Sequence, residues 1–68
     1  MKVVVNGVRR NLVEGARLRD AVRASGAPDE ARGIAAALDG EVVPRARWSE
    51  VTLHDGQRVE VVRAVQGG

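Results

Sequence analysis

The chain has 68 residues, 11 of them basic and nine acidic, and contains no cysteine. This length makes a single domain that buries only about 60% of its unfolded surface, and the missing cysteine excludes a disulfide framework, a thiolate nucleophile and a cysteine-based metal site. The sequence pI of about 10.4 does not indicate nucleic-acid binding, because the net charge is only +2 and one aromatic residue, Trp48, is offered for base stacking.

The first predicted element is a β-hairpin over residues 1–12. Its turn is Asn6-Gly7, the dipeptide best suited to a type I′ turn, because both central positions need a positive φ. With these two residues as the loop, Val5 pairs with Val8. The residues that the pleat then places on the core face are Val3, Val5, Val8 and Leu12.

Residues 18–25 form the predicted helix. The apolar residues at helical spacing are Leu18, Ala21 and Val22. Gly26 suits the left-handed position that ends a helix, and Pro28 prevents the helix from resuming. Asp20 suits the positive end of the helix dipole, but Arg17 stands where Ser, Thr or Asp is expected, so the helix is weakly capped and depends on packing against a sheet.

The second half of the chain contains predicted strands separated by glycine turns. Residues 33–38 favour a strand over an alanine-rich helix, because Gly33 precedes Ile34, a turn follows and six residues is strand length. The other predicted elements are a turn at Asp39-Gly40, a short strand at 41–43 ended by Pro44, an extended piece or single turn at 51–53, a turn at Asp55-Gly56 and a final strand at 58–65.

The final strand leads directly into a bare end. Its apolar alternation fails after Val61, so it contains a bulge or is covered on both faces, and an apolar residue left on the outer face is a candidate docking contact. The sequence closes on Gln66, Gly67 and Gly68, which reach about 10 Å beyond Val65. Glycines can thread a channel that other residues would block. Without other evidence, such an end is also typical of a frayed terminus.

The order of predicted elements is strand, strand, helix, strand, short strand and strand. A hairpin followed by a helix buries its apolar face when the last strand returns to the middle of the sheet and the helix packs across it. We therefore predict an α+β protein with the β-grasp arrangement of ubiquitin-like proteins, comprising a mixed sheet of four to five strands, one main helix and a projecting C-terminal tail. The predicted domain is residues 1–65, and the predicted flexible tail is residues 66–68.

Three blocks of sequence carry a family resemblance. They are MKVVVNG at 1–7, DGEVVPR at 39–45 followed by Trp48, and DG at 55–56 leading to VEVVRAVQGG at 59–68. In this order they resemble the ThiS family, the bacterial sulfur carriers of thiazole biosynthesis in the thiamine pathway, and the middle and terminal blocks together are specific. The chain departs from the family pattern at Asp39, Gln57 and Arg17, which affects turn and cap stability.

The resemblance implies that the chain is a substrate of other proteins and has no catalytic residue of its own. A ThiF-like adenylyltransferase would use ATP and magnesium to adenylate the Gly68 carboxylate. Sulfur from a persulfide, supplied through a cysteine desulfurase, would then leave a thiocarboxylate for a ThiG-like thiazole synthase. Gln66, Gly67 and Gly68 would thread into the partners' active sites, and the chain itself would bind no cofactor or metal.

The remaining side chains are consistent with a chain that has no catalytic residue of its own. His54 is the only histidine, and neither Ser25 nor Ser49 has the sequence context of a nucleophile. We interpret His54 as a surface residue beside a turn, and the Asp-Gly pairs as turns, since the ligand spacing of a calcium loop is absent. Trp48 is either a core plug or an exposed partner contact, and its place in a loop that folds back on the sheet favours the core.

Two other functions stay open at this point. One is the small subunit of molybdopterin synthase, or another ubiquitin-like sulfur carrier, although Pro44-Arg45 with Trp48 favours the thiamine pathway. The other is a non-catalytic β-grasp binding module whose terminal glycines have no function. A small chain with no disulfide, secretory signal or apolar run of about 20 residues is expected in the cytoplasm, without nucleic-acid or membrane partners.

Overall fold

The computed structural model describes residues 1–27 and 33–63. The elements in these ranges are β1 (Lys2–Val5), β2 (Val8–Asn11), α1 (Leu18–Ala24), β3 (Ile34–Leu38), β4 (Glu41–Val43), a 3-10 helix (Arg45–Arg47) and β5 (Arg58–Arg63). Together the described strands form one mixed sheet of five, in the order β2-β1-β5-β3-β4. The predicted α+β class and the return of the last strand to the middle of the sheet are confirmed.

The first hairpin has the predicted turn and register. Asn6 and Gly7 have φ angles of 50° and 81°, the two positive values that a type I′ turn needs. Val5 is paired with Val8 across the turn, and Lys2 is paired with Asn11 at the other end. The dipeptide therefore fixes which residues of β1 face the core.

Burial of Val8 was predicted wrongly. Val3 and Val5 are fully buried as expected, and Leu12 packs against the core, but Val8 is 52% exposed. Val8 lies on the core side of the pleat because it pairs with Val5. However, β2 is the edge of the sheet and α1 packs against β1 and β5, so the helix leaves Val8 uncovered.

The helix buries the three residues that its spacing predicts. Leu18, Ala21 and Val22 are buried against the sheet. Gly26 follows the helix with a φ of 93°, the left-handed conformation expected after a helix end; Pro28 lies outside the described residues.

The first turn of the helix is better capped than the sequence suggests. The Arg17 backbone N–H donates to the Asp20 carboxylate at 2.8 Å, which satisfies a donor at the helix start. The Arg17 guanidinium also donates to the Ser49 carbonyl at 3.2 Å. The arginine at the cap position therefore ties the helix start to the loop after β4.

The alanine-rich residues of β3 form a strand, as predicted. They lie between β5 and β4 and pair with both, from Ile34↔Arg63 to Leu38↔Val59 on one side and from Ala36↔Val43 to Leu38↔Glu41 on the other. This two-sided pairing outweighs the helix propensity of alanine. Asp39 and Gly40 make the predicted turn, with φ angles of 48° and 88°.

Trp48 closes the core under the connection between β4 and β5. Its side chain is only 3% exposed, and its Nε1–H donates to the Val43 carbonyl at 2.8 Å. The Arg45 guanidinium lies over the indole ring, 5.5 Å from its centroid. The interpretation of Trp48 as a core plug is confirmed, and the alternative of an exposed partner contact is wrong.

Backbone hydrogen bonds anchor the rest of this connection to the start of α1. The Leu18 N–H donates to the Val51 carbonyl at 2.9 Å, and the Leu53 N–H donates to the Ala16 carbonyl at 2.8 Å. Leu53 is buried beside Leu18 in the core. The predicted extended piece at 51–53 therefore pairs with the residues at the start of the helix, where Arg17 and Thr52 form an isolated β-bridge.

Truncation of Trp48 tests its structural role. We expect Trp48→Ala to lower the free energy of unfolding by about 3–5 kcal/mol, because a buried indole leaves a cavity and the Val43 carbonyl loses a donor. Trp48→Phe should cost less, since the ring volume is largely kept. Val42→Ala, at a side chain 74% exposed, is the control and should cost less than about 0.5 kcal/mol. Urea unfolding followed by circular dichroism measures all three, and equal losses for Trp48→Ala and Val42→Ala would contradict the assignment.

Candidate functional site

The residues expected to carry the function lie outside the described part of the chain. These are Gln66, Gly67 and Gly68, together with Ala64 and Val65 before them. The boundary predicted between a domain of residues 1–65 and a tail of residues 66–68 therefore stays a prediction. The structure does show how the body holds the strand that leads to these residues.

That strand, β5, is paired along both edges. On one side it runs parallel to β1, with Val4↔Arg58 and Val5↔Val59 in register. On the other side it runs antiparallel to β3 from Leu38↔Val59 to Ile34↔Arg63. Since paired neighbours fix both edges of its backbone, the direction of β5 is determined by the whole sheet.

The valines of β5 fall on both faces of the sheet. Pairing with β3 is one to one from Val59 to Arg63, so the described part of β5 contains no bulge there. Val59 is buried, whereas Val62 is 59% exposed on the outer face. Of the two explanations offered by the sequence, neither a bulge nor cover on both faces applies within the described residues. Val62 is the apolar residue left over on the outer face, and it is a candidate docking contact.

Two further apolar side chains share this outer face. Ala35 is paired with Val62 and is exposed. Val42 is 74% exposed and is paired with Ala37 of β3. Ala37 is paired on its other side with Glu60 of β5, which lies on the same face as Val62. We call Ala35, Val42 and Val62 the outer patch. It lies on the face of the sheet opposite α1 and extends from β5, the strand that leads to Gly68, across β3 to β4.

The side chain of Asn6 holds β5 beyond the last residue of β1. The Asn6 backbone N–H donates to the Val59 carbonyl at 2.9 Å. Its side-chain Oδ1 accepts from the Val61 N–H at 2.7 Å, and its Nδ2 donates to the Val61 carbonyl at 3.2 Å. Sequence reasoning assigned Asn6 to the turn alone, because nothing in the dipeptide shows which strand the side chain contacts.

A second turn residue holds the opposite end of β5. The Asp39 carboxylate accepts from the Arg58 N–H at 2.9 Å and from the Gln57 side-chain amide at 3.0 Å. The hydrogen bond from the Arg58 backbone, followed by that from Gln57, holds the pKa of Asp39 below its usual value. Asp39 and Gln57 are two of the positions where the sequence departs from the pattern of the family that it resembles. The hydrogen bond joins these two departures.

The polar side chains near the Asp55-Gly56 turn have structural roles. His54 is exposed beside this turn, as predicted. Asp55 accepts from the Lys2 backbone N–H at 2.7 Å, and thereby ties the turn to β1. Within residues 1–27 and 33–63, the acidic side chains and His54 form no group of three or more that could hold a metal ion. The helix of this described part is too short to cross a bilayer.

Comparison with known proteins identifies the family. The model of the ThiS family matches residues 3–68. The chain belongs to the ThiS family. The match confirms the family that the three blocks of sequence indicated.

Solved structures confirm the β-grasp fold for this ThiS-family chain. It matches the crystal structure of the thiamine biosynthesis protein ThiS from Geobacter metallireducens with a TM-score of 0.77 and 27% identity, over 100% of both chains. The solution structure of a thiamine biosynthesis protein from the same organism matches with a TM-score of 0.75 and 27% identity, over 100% of this chain and 88% of the other.

A similar segment also occurs in a longer protein. The thiazole synthase of Paramagnetospirillum magneticum (strain ATCC 700264 / AMB-1) is 29% identical over 68 residues, which are 100% of this chain and 20% of that protein. The ThiS-family chain thus spans about a fifth of the length of this relative.

The lowered pKa of Asp39 predicts a defined pH dependence of stability. Because the folded state lowers this pKa, the carboxylate stabilises the fold above its unfolded-state pKa of 3.8, and the contribution is lost as the pH falls through the folded-state value. In Asp39→Asn the amide oxygen can still accept hydrogen bonds but does not titrate. We expect the stability advantage of the wild type over this variant to shrink between about pH 5 and pH 3. Urea unfolding across this range measures it, and an advantage that does not change with pH would show that Asp39 is not the titrating group.

Proposed function

We propose that this chain carries sulfur as a thiocarboxylate on Gly68 for the synthesis of the thiazole of thiamine. The observation that carries the proposal is the family match, which extends from residue 3 to residue 68 and so includes the Gly67-Gly68 pair. The proposal requires a free α-carboxylate on Gly68. In this role the chain is a protein substrate, and its partners supply the catalytic groups.

The first step activates the carboxylate. A carboxylate is a poor electrophile, so an oxygen of the Gly68 carboxylate attacks the α-phosphorus of ATP in a ThiF-like adenylyltransferase. Pyrophosphate leaves and a glycyl adenylate forms. ATP and magnesium belong to that enzyme, where the metal ion stabilises charge on the phosphates.

The second step exchanges oxygen for sulfur. The terminal sulfur of a cysteine persulfide, supplied through a cysteine desulfurase, attacks the Gly68 carbonyl carbon, and AMP leaves. The resulting acyl disulfide is opened by a thiol, which forms a disulfide with the cysteine sulfur and releases the Gly68 thiocarboxylate. The thiocarboxylate sulfur is a good nucleophile, which suits it to transfer in a ThiG-like thiazole synthase.

Two findings support the choice of the thiazole pathway over the small subunit of molybdopterin synthase. Both solved structures are of a Geobacter metallireducens protein that is described as a thiamine biosynthesis protein. In addition, a segment similar to the whole of this chain lies within a protein named thiazole synthase. A segment within such a protein supports thiazole synthase as the acceptor of the sulfur.

The outer patch supports docking to the adenylyltransferase. Val62 is six residues before Gly68, a separation of at most about 20 Å of extended chain. An enzyme that holds Gly68 at its nucleotide therefore has its surface close to Val62. Apolar side chains that stay exposed on a small domain are typical of such an interface.

Reconstitution of the reaction tests the proposed function. We expect the purified chain, incubated with its cognate adenylyltransferase, ATP, magnesium and a sulfide source, to gain the mass that corresponds to replacement of one oxygen by sulfur. Fragmentation should place the sulfur on Gly68. Transfer of that sulfur to thiazole synthase, and not to the large subunit of molybdopterin synthase, should follow.

Deletion of Gly68 is the control for this reaction. The variant should unfold within about 0.5 kcal/mol of the wild type and gain no sulfur. A deletion variant that still gains sulfur would refute the site. A wild-type chain that gains none with its cognate enzyme would instead favour a binding module without carrier activity.

Substitution of Val62 tests the docking surface. We expect Val62→Lys to raise the KM of the adenylyltransferase for this carrier by about tenfold, because the apolar contact is replaced by a charge at the interface. Val13→Lys is the matched control, since Val13 is 78% exposed and lies after β2, beside the start of β1; it should change KM less than about twofold. Equal effects of the two substitutions would contradict docking through the outer patch.

A further inference from the structure

We infer that Asn6 is a positioning residue that sets the direction in which the chain leaves the body towards Gly68. This inference rests on the proposed function, because it concerns the delivery of Gly68 to a partner enzyme. It assigns to a residue of the first hairpin a role at the other end of the chain. Asn6 and Val61 are 55 residues apart in sequence.

The Asn6 carboxamide replaces the next peptide group of β1. Parallel pairing between β1 and β5 includes Val5↔Val59, and the chain then turns away at Asn6. At Val61, the side-chain Oδ1 and Nδ2 of Asn6 supply the acceptor and the donor that a strand backbone would otherwise supply, at 2.7 and 3.2 Å. One side chain thus continues the ladder of β5 beyond the turn.

Asparagine suits this role for two reasons. Its φ of 50° lies in the left-handed region, which asparagine tolerates better than most residues with a side chain. Its amide also presents one acceptor and one donor together. Aspartate keeps the acceptor for the Val61 N–H but has no donor when ionised, and glycine keeps the backbone conformation but lacks both groups.

The contact between Asn6 and Val61 lies near the end of β5, where it affects the direction of the residues that follow. Val61 is paired with Ala36 of β3 on one edge and is hydrogen-bonded to the Asn6 side chain on the other. Its backbone is therefore fixed from both sides. The seven residues from 62 to 68 span at most about 23 Å, so the direction of β5 at Val61 sets the region that Gly68 can reach. Displacements of about 1 Å at a reacting group can cost about a hundredfold in rate.

Asp39 provides a matched control within the same strand. Like Asn6, it occupies the first position of an Asx-Gly hairpin turn with a positive φ, in this case 48°. Like Asn6, it accepts a hydrogen bond from a backbone N–H of β5, but at Arg58, the start of the strand. Asn6→Gly and Asp39→Gly both give a Gly-Gly turn, which is compatible with a type I′ hairpin. The two variants therefore differ chiefly in which end of β5 they release.

The experiment compares these two variants in the adenylation reaction of Gly68, with pyrophosphate release as the measure. We expect Asn6→Gly and Asp39→Gly to lower the urea midpoint by similar amounts. At saturating carrier, only Asn6→Gly should lower kcat, by about tenfold or more. Its KM should change less than about twofold, because the outer patch is unaltered. Amide hydrogen exchange should show faster exchange of the Val61 N–H in this variant alone.

A conservative variant separates positioning from general destabilisation. Asn6→Asp keeps the acceptor for the Val61 N–H, so it should recover most of the Val61 protection and most of the kcat lost in Asn6→Gly. Equal kcat in the wild type and Asn6→Gly, or equal losses in Asn6→Gly and Asp39→Gly, would overturn the role of Asn6 and leave the carrier function intact. A wild-type chain that is not adenylated would overturn both.

Discussion

The pairing of β5 on both edges is the constraint on which the rest of the structure depends. Strand β5 lies between β1 and β3, and its buried Val59 lies in the same core as Val3, Leu18 and Trp48. A domain of this size has little apolar surface to bury, and the helix and Trp48 of the β4–β5 connection share one core with the buried residues of β1 and β5. The last strand is therefore held by β1 at its start, by β3 along its length and by the Asn6 side chain at Val61.

This arrangement separates recognition from chemistry. The described body offers an apolar outer patch and a strand held at both ends by turn residues, Asn6 near Val61 and Asp39 at Arg58. The proposed chemistry takes place at Gly68, on a group that every protein chain possesses. Under the proposed function, the body of the chain has to present that group in a defined direction, and the partner enzymes would supply the reactive side chains.

Local sequence signals predicted most of the fold. The Asx-Gly turns at 6–7 and 39–40 and the spacing of Leu18, Ala21 and Val22 are short-range features, and they define the two hairpins and the helix face correctly. The strand predicted at 33–38 is found at 34–38, although alanine favours a helix, because the flanking turns limit its length. Exposure of Val8 was missed because it depends on how far α1 reaches across the sheet, which is a tertiary property.

The candidate site was predictable only in part. The terminal glycines and the family resemblance pointed to Gly68, and loss of alternation after Val61 pointed to an apolar residue on the outer face, found at Val62. The contact between Asn6 and Val61 could not be predicted, because it joins residues 55 positions apart and needs the parallel pairing of β1 with β5. The hydrogen bond between Asp39 and Gln57 could not be predicted either, because it joins residues 18 positions apart. In the sequence, each of the two is only a local departure from the family pattern.

A structure of the chain bound to its adenylyltransferase with a non-hydrolysable ATP analogue tests the central claim most directly. The account predicts that the Gly68 carboxylate lies in line with the α-phosphate, that Val62 is covered by the enzyme, and that Asn6 still contacts Val61. A complex in which the enzyme binds another face of the sheet and Gly68 lies away from the nucleotide would contradict it.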